Sequence, residues 1–370
     1  MAKELSTCVF LSLALGSSAC TYDLEKLYEH EVGDDAGMGG DAARVGLSSQ
    51  QLIGAWIGND PLVNASCVAC AEAKCGDAET ACRADPECVA YTQCVGQSPN
   101  PGGQDACRVS HMPWVRADVR AHDLNGPYGQ CVFKYNCAAE CGGNDDLTCL
   151  QKYSRPSTPA AMVPLHLYLA DAIMPTAAVS GVQVKVCAAT DLTCAHPTGQ
   201  GTTDATGLVE LSLPTTYSGS FTGYFEIEGG QLYPSLLKFS WNLGVETTYV
   251  LNTVNKDLFN QSISLIGLTP KSGLGMLQLR MLGCSSIGLR GASFTADTAD
   301  AMSKTWYIDG LPKLDLTATG TVGSGGIVNV KEGSALVTAT RASDMAVIGK
   351  IDAPVRASYM TIVVLEPSPQ

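Results

Sequence analysis

Histidine and aromatic residues are scarce in this chain, and most routes to catalysis are absent with them. Five histidines (His30, His111, His122, His166 and His196) stand among 370 residues, and none lies in a His-Glu-x-x-His helix. No P-loop or Gly-x-Gly-x-x-Gly turn follows an apolar run, so nucleotide phosphates find no cradle. Gly283-Cys284-Ser285-Ser286-Ile287-Gly288 has one residue too many before its second glycine to be a nucleophile elbow. Asp118 and His122, at i and i+4, fit an exposed ion pair as well as a base and its orienter. Asp34-Asp35 and Asn144-Asp145-Asp146 lack the alternating ligand register of a calcium loop. Positive charge is also short: 23 Lys and Arg face 36 Asp and Glu, a net charge of −13. No basic stripe is left to displace counterions from phosphates, which excludes nucleic acid as the partner. The chain reads as a non-enzyme, with no catalytic residue, metal or cofactor expected.

Cysteine, by contrast, is abundant and unevenly placed. Of 16, eleven crowd into residues 67–149, and only Cys187, Cys194 and Cys284 lie beyond. Thiols used this heavily belong to an oxidising compartment, where they become cross-links. Cys67-x-x-Cys70 has zinc-knuckle spacing, but a zinc site needs four ligands and leaves little surplus sulfur. Ala71 stands where haem attachment needs histidine, and no βαβ pattern surrounds the pair to make it a redox motif. Structural disulfides are expected at Cys67, Cys70, Cys75, Cys82, Cys88, Cys94, Cys107, Cys131, Cys137, Cys141, Cys149, Cys187 and Cys194.

The N-terminus supplies the address. Lys3 precedes an apolar stretch, Val9–Leu15, that is too short for a permanent span of roughly 20 residues. Gly16-Ser17-Ser18-Ala19 then offers the small residues a signal peptidase requires, and Cys20 follows directly. This tract resembles the lipobox of bacterial lipoproteins, with Ser17 where that family prefers leucine. The resemblance implies acylation of Cys20 and a membrane contact through that lipid anchor; an ordinary secretory signal is the alternative. Thr21, rather than Asp, follows the cysteine, which in such lipoproteins implies sorting to the outer membrane, periplasmic or cell-surface facing. Residues 1–19 are therefore expected as signal and 20–46, acidic and glycine-containing, as a flexible linker.

Residues 47–155 read as a small, stapled helical domain. Ser48 and Gln51 form a capping box ahead of Leu52, Ile53 and Trp56. Gly76 breaks the next run, and Asp77 is expected to cap a new helix. Asp85-Pro86-Glu87 is a start signal: a cap, a proline whose missing N–H costs nothing, then an acid at the positive end of the dipole. Cys67 and Cys70, Cys75 and Cys82, and Cys137 and Cys141 are each spaced to share a helical face.

After Ser154-Arg155-Pro156-Ser157-Thr158-Pro159 the period changes from helical to two. Val182, Val184 and Val186 alternate with Gln183 and Lys185; Val209, Leu211 and Leu213 with Glu210 and Ser212; Phe225 and Ile227 with Glu226 and Glu228. Each strand is expected to have one buried and one wet face, as in an antiparallel sandwich. The pattern recurs. Gly181-Val-Gln-Val184 is mirrored by Gly291-Ala-Ser-Phe294, and the Thr203–Gly207 turn by Thr321–Gly325. The expected architecture is a disulfide-stapled α-helical domain followed by two tandem all-β sandwiches, at 160–251 and 252–370.

The Gly181–Lys185 strand with its Thr-Asp-Ala-Thr-Gly turn resembles the carboxypeptidase regulatory-like, or transthyretin-like, sandwich. Together with the lipobox and the Cys-rich segment, the whole is similar to surface lipoproteins of myxobacterial type. That resemblance implies a non-catalytic surface module, an interaction or scaffold lipoprotein with an unknown protein or glycan partner. A carbohydrate-binding module and a hydrolase with an unrecognised site remain as alternatives. Tyr224, Tyr233, Trp241, Trp306 and Tyr307 are the candidate stacking faces for sugars, against the commoner use of such rings in packing.

Sulfur parity closes the reading. Cys187 and Cys194 bracket a short loop and are expected to pair. Eleven cysteines and Cys284 then remain, so either Cys284 bridges to the helical region or two thiols stay free. Cys284, after the strand-like Met276–Leu282, is expected as a buried free thiol.

Overall fold

Period-two alternation beyond Met162 is realised as paired strands, and the cysteine-dense segment before it as short helices. The computed structural model describes residues 65–96, short stretches between 106 and 150 (106–107, 109–111, 128–129, 131–132, 136–141, 147 and 149–150), and 160–367 apart from 172–177, 218, 285–287, 310 and 321. Cys20, the Ser48–Gln51 cap, Asp34-Asp35, Asn144-Asp145-Asp146 and the Asp118–His122 pair lie outside the described residues.

Among the described residues, the helices ahead of the strands are α1 (Ala65–Lys74), α2 (Gly76–Ala84), α3 (Pro86–Gly96) and α4 (Ala138–Cys141). Asp85 caps α3 as its sequence requires, its Oδ1 accepting from the N–H of Glu87 at 2.8 Å and of Cys88 at 3.3 Å. Asp77 does not cap α2. It lies inside the first turn, where it still meets the positive end of the helix dipole, and Cys75 occupies the cap position without a side-chain bond. Cys75 therefore marks the junction of α1 and α2 and shares no helical face with Cys82.

The strands are β1 (Met162–Asp171), β2 (Gln183–Cys187), β3 (Gly199–Thr202), β4 (Leu208–Pro214), β5 (Tyr224–Glu228), β6 (Ser235–Phe239), β7 (Thr247–Thr253), then helix α5 (Lys256–Leu265) and β8 (Leu274–Met281), β9 (Ala292–Ala296), β10 (Lys304–Asp309), β11 (Leu311–Lys313), β12 (Ser324–Lys331), β13 (Gly333–Arg341), β14 (Val347–Val355) and β15 (Met360–Leu365). They form three sheets. A three-stranded sheet runs β4-β1-β7, another β14-β13-β9, and a nine-stranded sheet runs β11-β10-β12-β8-β15-β6-β5-β2-β3.

The repeat read in the sequence is present as repeated topology. In the first half β1 pairs antiparallel with β4 and parallel with β7; in the second, β8 does the same with β12 and β15. The last strand then joins the two sandwiches, because β15 pairs parallel with β6 on one side and β8 on the other. Both its faces are consequently buried. Ile362 and Val364 enter the core of the first sandwich, and Val363 and Leu365 that of the second. On the far side of the first sandwich, the helical domain packs its buried cystines, Tyr91 and Tyr128 against Tyr168, Leu208 and Val250, on the outer face of β4-β1-β7.

The register of the repeat differs from the expected one by two residues. In the first copy the Thr203 hydroxyl accepts from Val182 N–H (3.0 Å) and donates to Val179 O (2.8 Å). In the second copy Thr319, not Thr321, does the same, accepting from Ala292 N–H (3.0 Å) and donating to Leu289 O (2.6 Å). Gly207 (φ +78°) correspondingly matches Gly323 (φ +64°), not Gly325. Each is a left-handed residue whose carbonyl accepts from the preceding long strand, at Leu169 N–H and Met281 N–H. Letters two positions along also spell Thr-x-x-x-Gly, but it is Thr319 whose hydroxyl lies between the two backbone groups.

Candidate functional site

Seven disulfides hold the described chain: Cys67–Cys141, Cys70–Cys137, Cys75–Cys131, Cys82–Cys88, Cys94–Cys107, Cys149–Cys284 and Cys187–Cys194. Cys67 and Cys70 on one face of α1 meet Cys141 at the end of α4 and Cys137 just ahead of it, a two-rung ladder. The free-thiol expectation for Cys284 is overturned. Cys284 is buried, as expected, but its partner is Cys149 of the helical region, across 135 residues. Burial alone did not distinguish an apolar thiol from a cystine. With Cys149 and Cys284 paired, the parity problem resolves, since every cysteine from Cys67 onward has a partner.

A polar cluster sits where β5 meets the loop ahead of β15. Glu226 was expected on a wet face, yet its side chain is only 4% exposed. The sheet carries charge there because Glu226 has two cationic partners, Lys185 Nζ at 2.5 Å and the Arg356 guanidinium. Arg356 also donates to the Tyr224 hydroxyl (2.9 Å) and to Leu192 O (2.7 Å), while its guanidinium carbon lies 5.2 Å from the centre of the Tyr359 ring. Tyr224 in turn donates to Asp191 O at 2.5 Å, and Tyr359 donates to Glu228. Asp191 and Leu192 belong to the loop closed by Cys187–Cys194, so the cystine loop, β2, β5 and the Arg356 loop are stitched at one point. The hydrogen bond it donates to Glu226 holds the Lys185 ammonium above the ordinary lysine range. Burial and the Glu228 carboxylate push the Tyr359 hydroxyl up to about 12. The arrangement locks protein to protein, and its polar groups face one another rather than a cleft.

The aromatic residues considered as sugar platforms are used in packing. Tyr224, Tyr233, Trp306 and Tyr307 are buried, and Trp241 packs half-buried against the first core, 4.8 Å from Phe239 ring to ring. The described histidines are likewise paired with carboxylates or turns. His111 Nδ1 lies 3.2 Å from Glu87, His166 sits between Glu210 (3.4 Å) and Glu246 (2.8 Å), and the His196 backbone N–H donates to Asp191. Among the described residues, no group of three His, Cys, Asp or Glu is placed to hold a metal ion.

One cleft of about 410 Å³ opens at the side of the first sandwich, between β3 and β4, lined by Gly201, Thr202, Asp204, Leu208, Val209 and Glu210. Glycine at 201 is required there, since a Cβ would come within 2.6 Å of Val209 Cγ2. The sequence signalled this turn through Thr203–Gly207 but gave no sign that Val209 and Leu211 would fill the space beside residue 201.

No protein-family model matches the chain, and no curated protein sequence matches it significantly. Solved structures similar to it include the Bacillus anthracis TIE protein, at 11% identity and a TM-score of 0.20, covering 56% of this chain. The chain spans about a third (34%) of that protein's length. The shaft pilin SpaA from Lactobacillus rhamnosus GG matches at 13% identity over 56% of this chain and 98% of its own, with a TM-score of 0.19. A streptococcal ancillary pilin matches at 13% identity over 58% and 64%, with a TM-score of 0.18.

Proposed function

We propose that this chain is a non-catalytic outer-membrane lipoprotein, held by an acylated Cys20, that presents its helical domain and tandem sandwiches as a rigid interaction or scaffold module at the cell surface. The observation that carries the reading is the cystine set: seven cross-links, one of them fastening the helical domain to the second sandwich. Such a construction suits an exported protein that must keep its shape without cytosolic chaperones, each bridge adding about 2–4 kcal/mol. The polar clusters support it too, since Glu226, Arg356 and Tyr224 spend their hydrogen bonds on holding loops together. The myxobacterial type of surface lipoprotein, with a short apolar signal ending in cysteine, an acidic leash and a Cys-rich segment, is the kind of molecule this proposal places it with.

Cys20→Ser is the test. The variant should move from the membrane fraction to the soluble fraction and lose labelling by a fatty-acid probe. Undiminished membrane association would refute the anchor.

A further inference from the structure

Two loops at one end of the first sandwich are fastened to each other, and neither carries a charge. Residues 211–225, around the β4–β5 loop, and 239–245, leading from β6 towards β7, contain no Asp, Glu, Lys, Arg or His, in a chain of net charge −13. The loops meet where Phe221 N–H donates to Leu243 O (2.8 Å) and Leu243 N–H to Phe221 O (3.1 Å). The Phe221 side chain, buried in the first core, roots the pair. The carboxylates that flank these stretches are already engaged. Glu210 and Glu246 lie on either side of His166, and Glu226 is held by Lys185 and Arg356. Glu366, whose N–H meets the Ser240 hydroxyl, is buried.

The tip of the β4–β5 loop is a braced turn. Thr216 donates to Ser220 O twice, from its N–H at 2.8 Å and its hydroxyl at 2.9 Å. Gly219 N–H returns to Thr216 O at 2.9 Å, with Gly219 in the left-handed region at φ +73°. Thr215 ties the same loop to the chain entering β1, donating from its N–H to Ala161 O and from its hydroxyl to Ala160 O. On this turn stands Tyr217, the most exposed large hydrophobic side chain among the described residues. Leaving a ring in water is unfavourable, and the bonded turn keeps this one from folding back onto the sandwich. On the neighbouring loop Asn242 is also exposed, its amide without a hydrogen-bond partner among the described residues.

We propose that Tyr217 and Asn242 belong to a binding site for an uncharged polysaccharide, the Tyr217 ring stacking on one sugar and the Asn242 amide bonding its hydroxyls. A pyranose presents C–H groups on its face, and these meet the negative face of an aromatic ring favourably. Its hydroxyls both donate and accept, as does an amide, and no charge on either side has to be stripped of water. A bilayer fits these loops less well, since they offer neither basic residues for head groups nor a broad apolar face. A protein partner fits less well too, because no ring of apolar contacts surrounds Tyr217 to keep water from a hot spot. The proposal rests on the interaction-module reading and names the chemical class of the partner.

The test is native electrophoresis of the mature, oxidised chain carrying Cys20→Ser, in gels cast with galactomannan, hydroxyethylcellulose or soluble starch. Polygalacturonate is the charged comparison. At least one neutral polymer should retard the chain more than polygalacturonate does. Tyr217→Ala should weaken that binding about tenfold, Tyr217→Phe should keep it, and Asn242→Ala should weaken it about fivefold. Urea midpoints should stay unchanged in all three, because both side chains are exposed. No retardation by any neutral polymer, equal retardation by polygalacturonate, or retardation indifferent to Tyr217→Ala overturns the proposal. So does flotation of the chain with phosphatidylcholine vesicles that Tyr217→Ala abolishes, which would make a bilayer the occupant. None of these outcomes bears on how the acylated chain and Cys20→Ser partition in cells, so failure of the sugar site and failure of the anchor are told apart.

Discussion

Arg356, on the loop that leads into β15, closes an ion pair with Glu226 of β5, 130 residues earlier in the chain. The pair is buried on both sides, its side chains 11% and 4% exposed. Removing one member leaves the other charge desolvated without its counterion, which is the costly way to break such a pair. Arg356→Ala and Glu226→Gln should each lower unfolding free energy by about 3 kcal/mol, read by urea denaturation. The double variant should lose clearly less than the sum. Additive losses would mean that the two side chains do not interact.

Thr203 and Thr319 make the same pair of backbone bonds in the two sandwiches, so the same substitution should act alike in both. Valine keeps the shape and strands one buried N–H and one carbonyl at each site, at a cost of about 1–3 kcal/mol. Serine should recover most of that loss. A marked fall for Thr203→Val with none for Thr319→Val would contradict the equivalence and favour Thr321 as the repeat partner.

Lys238, on β6, donates to Gly223 O at 2.8 Å and to Thr222 O, and burial pushes its amine down to about 8. An unfolded lysine titrates near 10.4. Between those values the unfolded chain holds a proton that the folded chain has released, so stability rises with pH. Urea midpoints should therefore increase from pH 8 to pH 9.5, by about 1–2 kcal/mol in unfolding free energy, and Lys238→Met should flatten that rise. The window stops there because burial raises the hydroxyls of Tyr224, Tyr233 and Tyr307, which oppose the trend once unfolded tyrosines ionise near 10. A flat profile in the unsubstituted protein would refute the lysine's role.

Alternation made the sandwich strands legible: Val182, Val184 and Val186 face the core as their spacing requires. The run Ile362-Val363-Val364-Leu365 does not alternate, and that was the trace of a strand buried on both faces where two sandwiches meet. What the letters could not carry was partnership. Glu226 follows the polar phase of β5 and still lies inside, because Arg356 comes from a distant loop. Cys284 shows the same gap, since parity allowed its bridge to the helical region but nothing local pointed to Cys149. Gly201 was unreadable for a related reason: it looks turn-prone in the sequence, and only the folded neighbour shows that Val209 leaves no room for a side chain there.

Cys67–Cys141 and Cys149–Cys284 also determine how the molecule transmits tension. Drawn apart at residues 65 and 367, the chain carries load through these two sulfur bridges, which take 74 and 135 residues out of the line of pull. That is about 70 nm of slack, at ~3.4 Å per residue, that unfolding alone cannot pay out. Strands β1 to β7 of the first sandwich lie inside the bypassed loop, so the pull reaches them only sideways, through the pairing of β6 with β15. Cys284 follows β8 at the end where Leu282 N–H meets Leu365 O at 2.8 Å, so the entry and exit of the force through the second sandwich are neighbours. The reach of the tether is thus governed by the oxidation state of two cystines rather than by the stability of the strands between them.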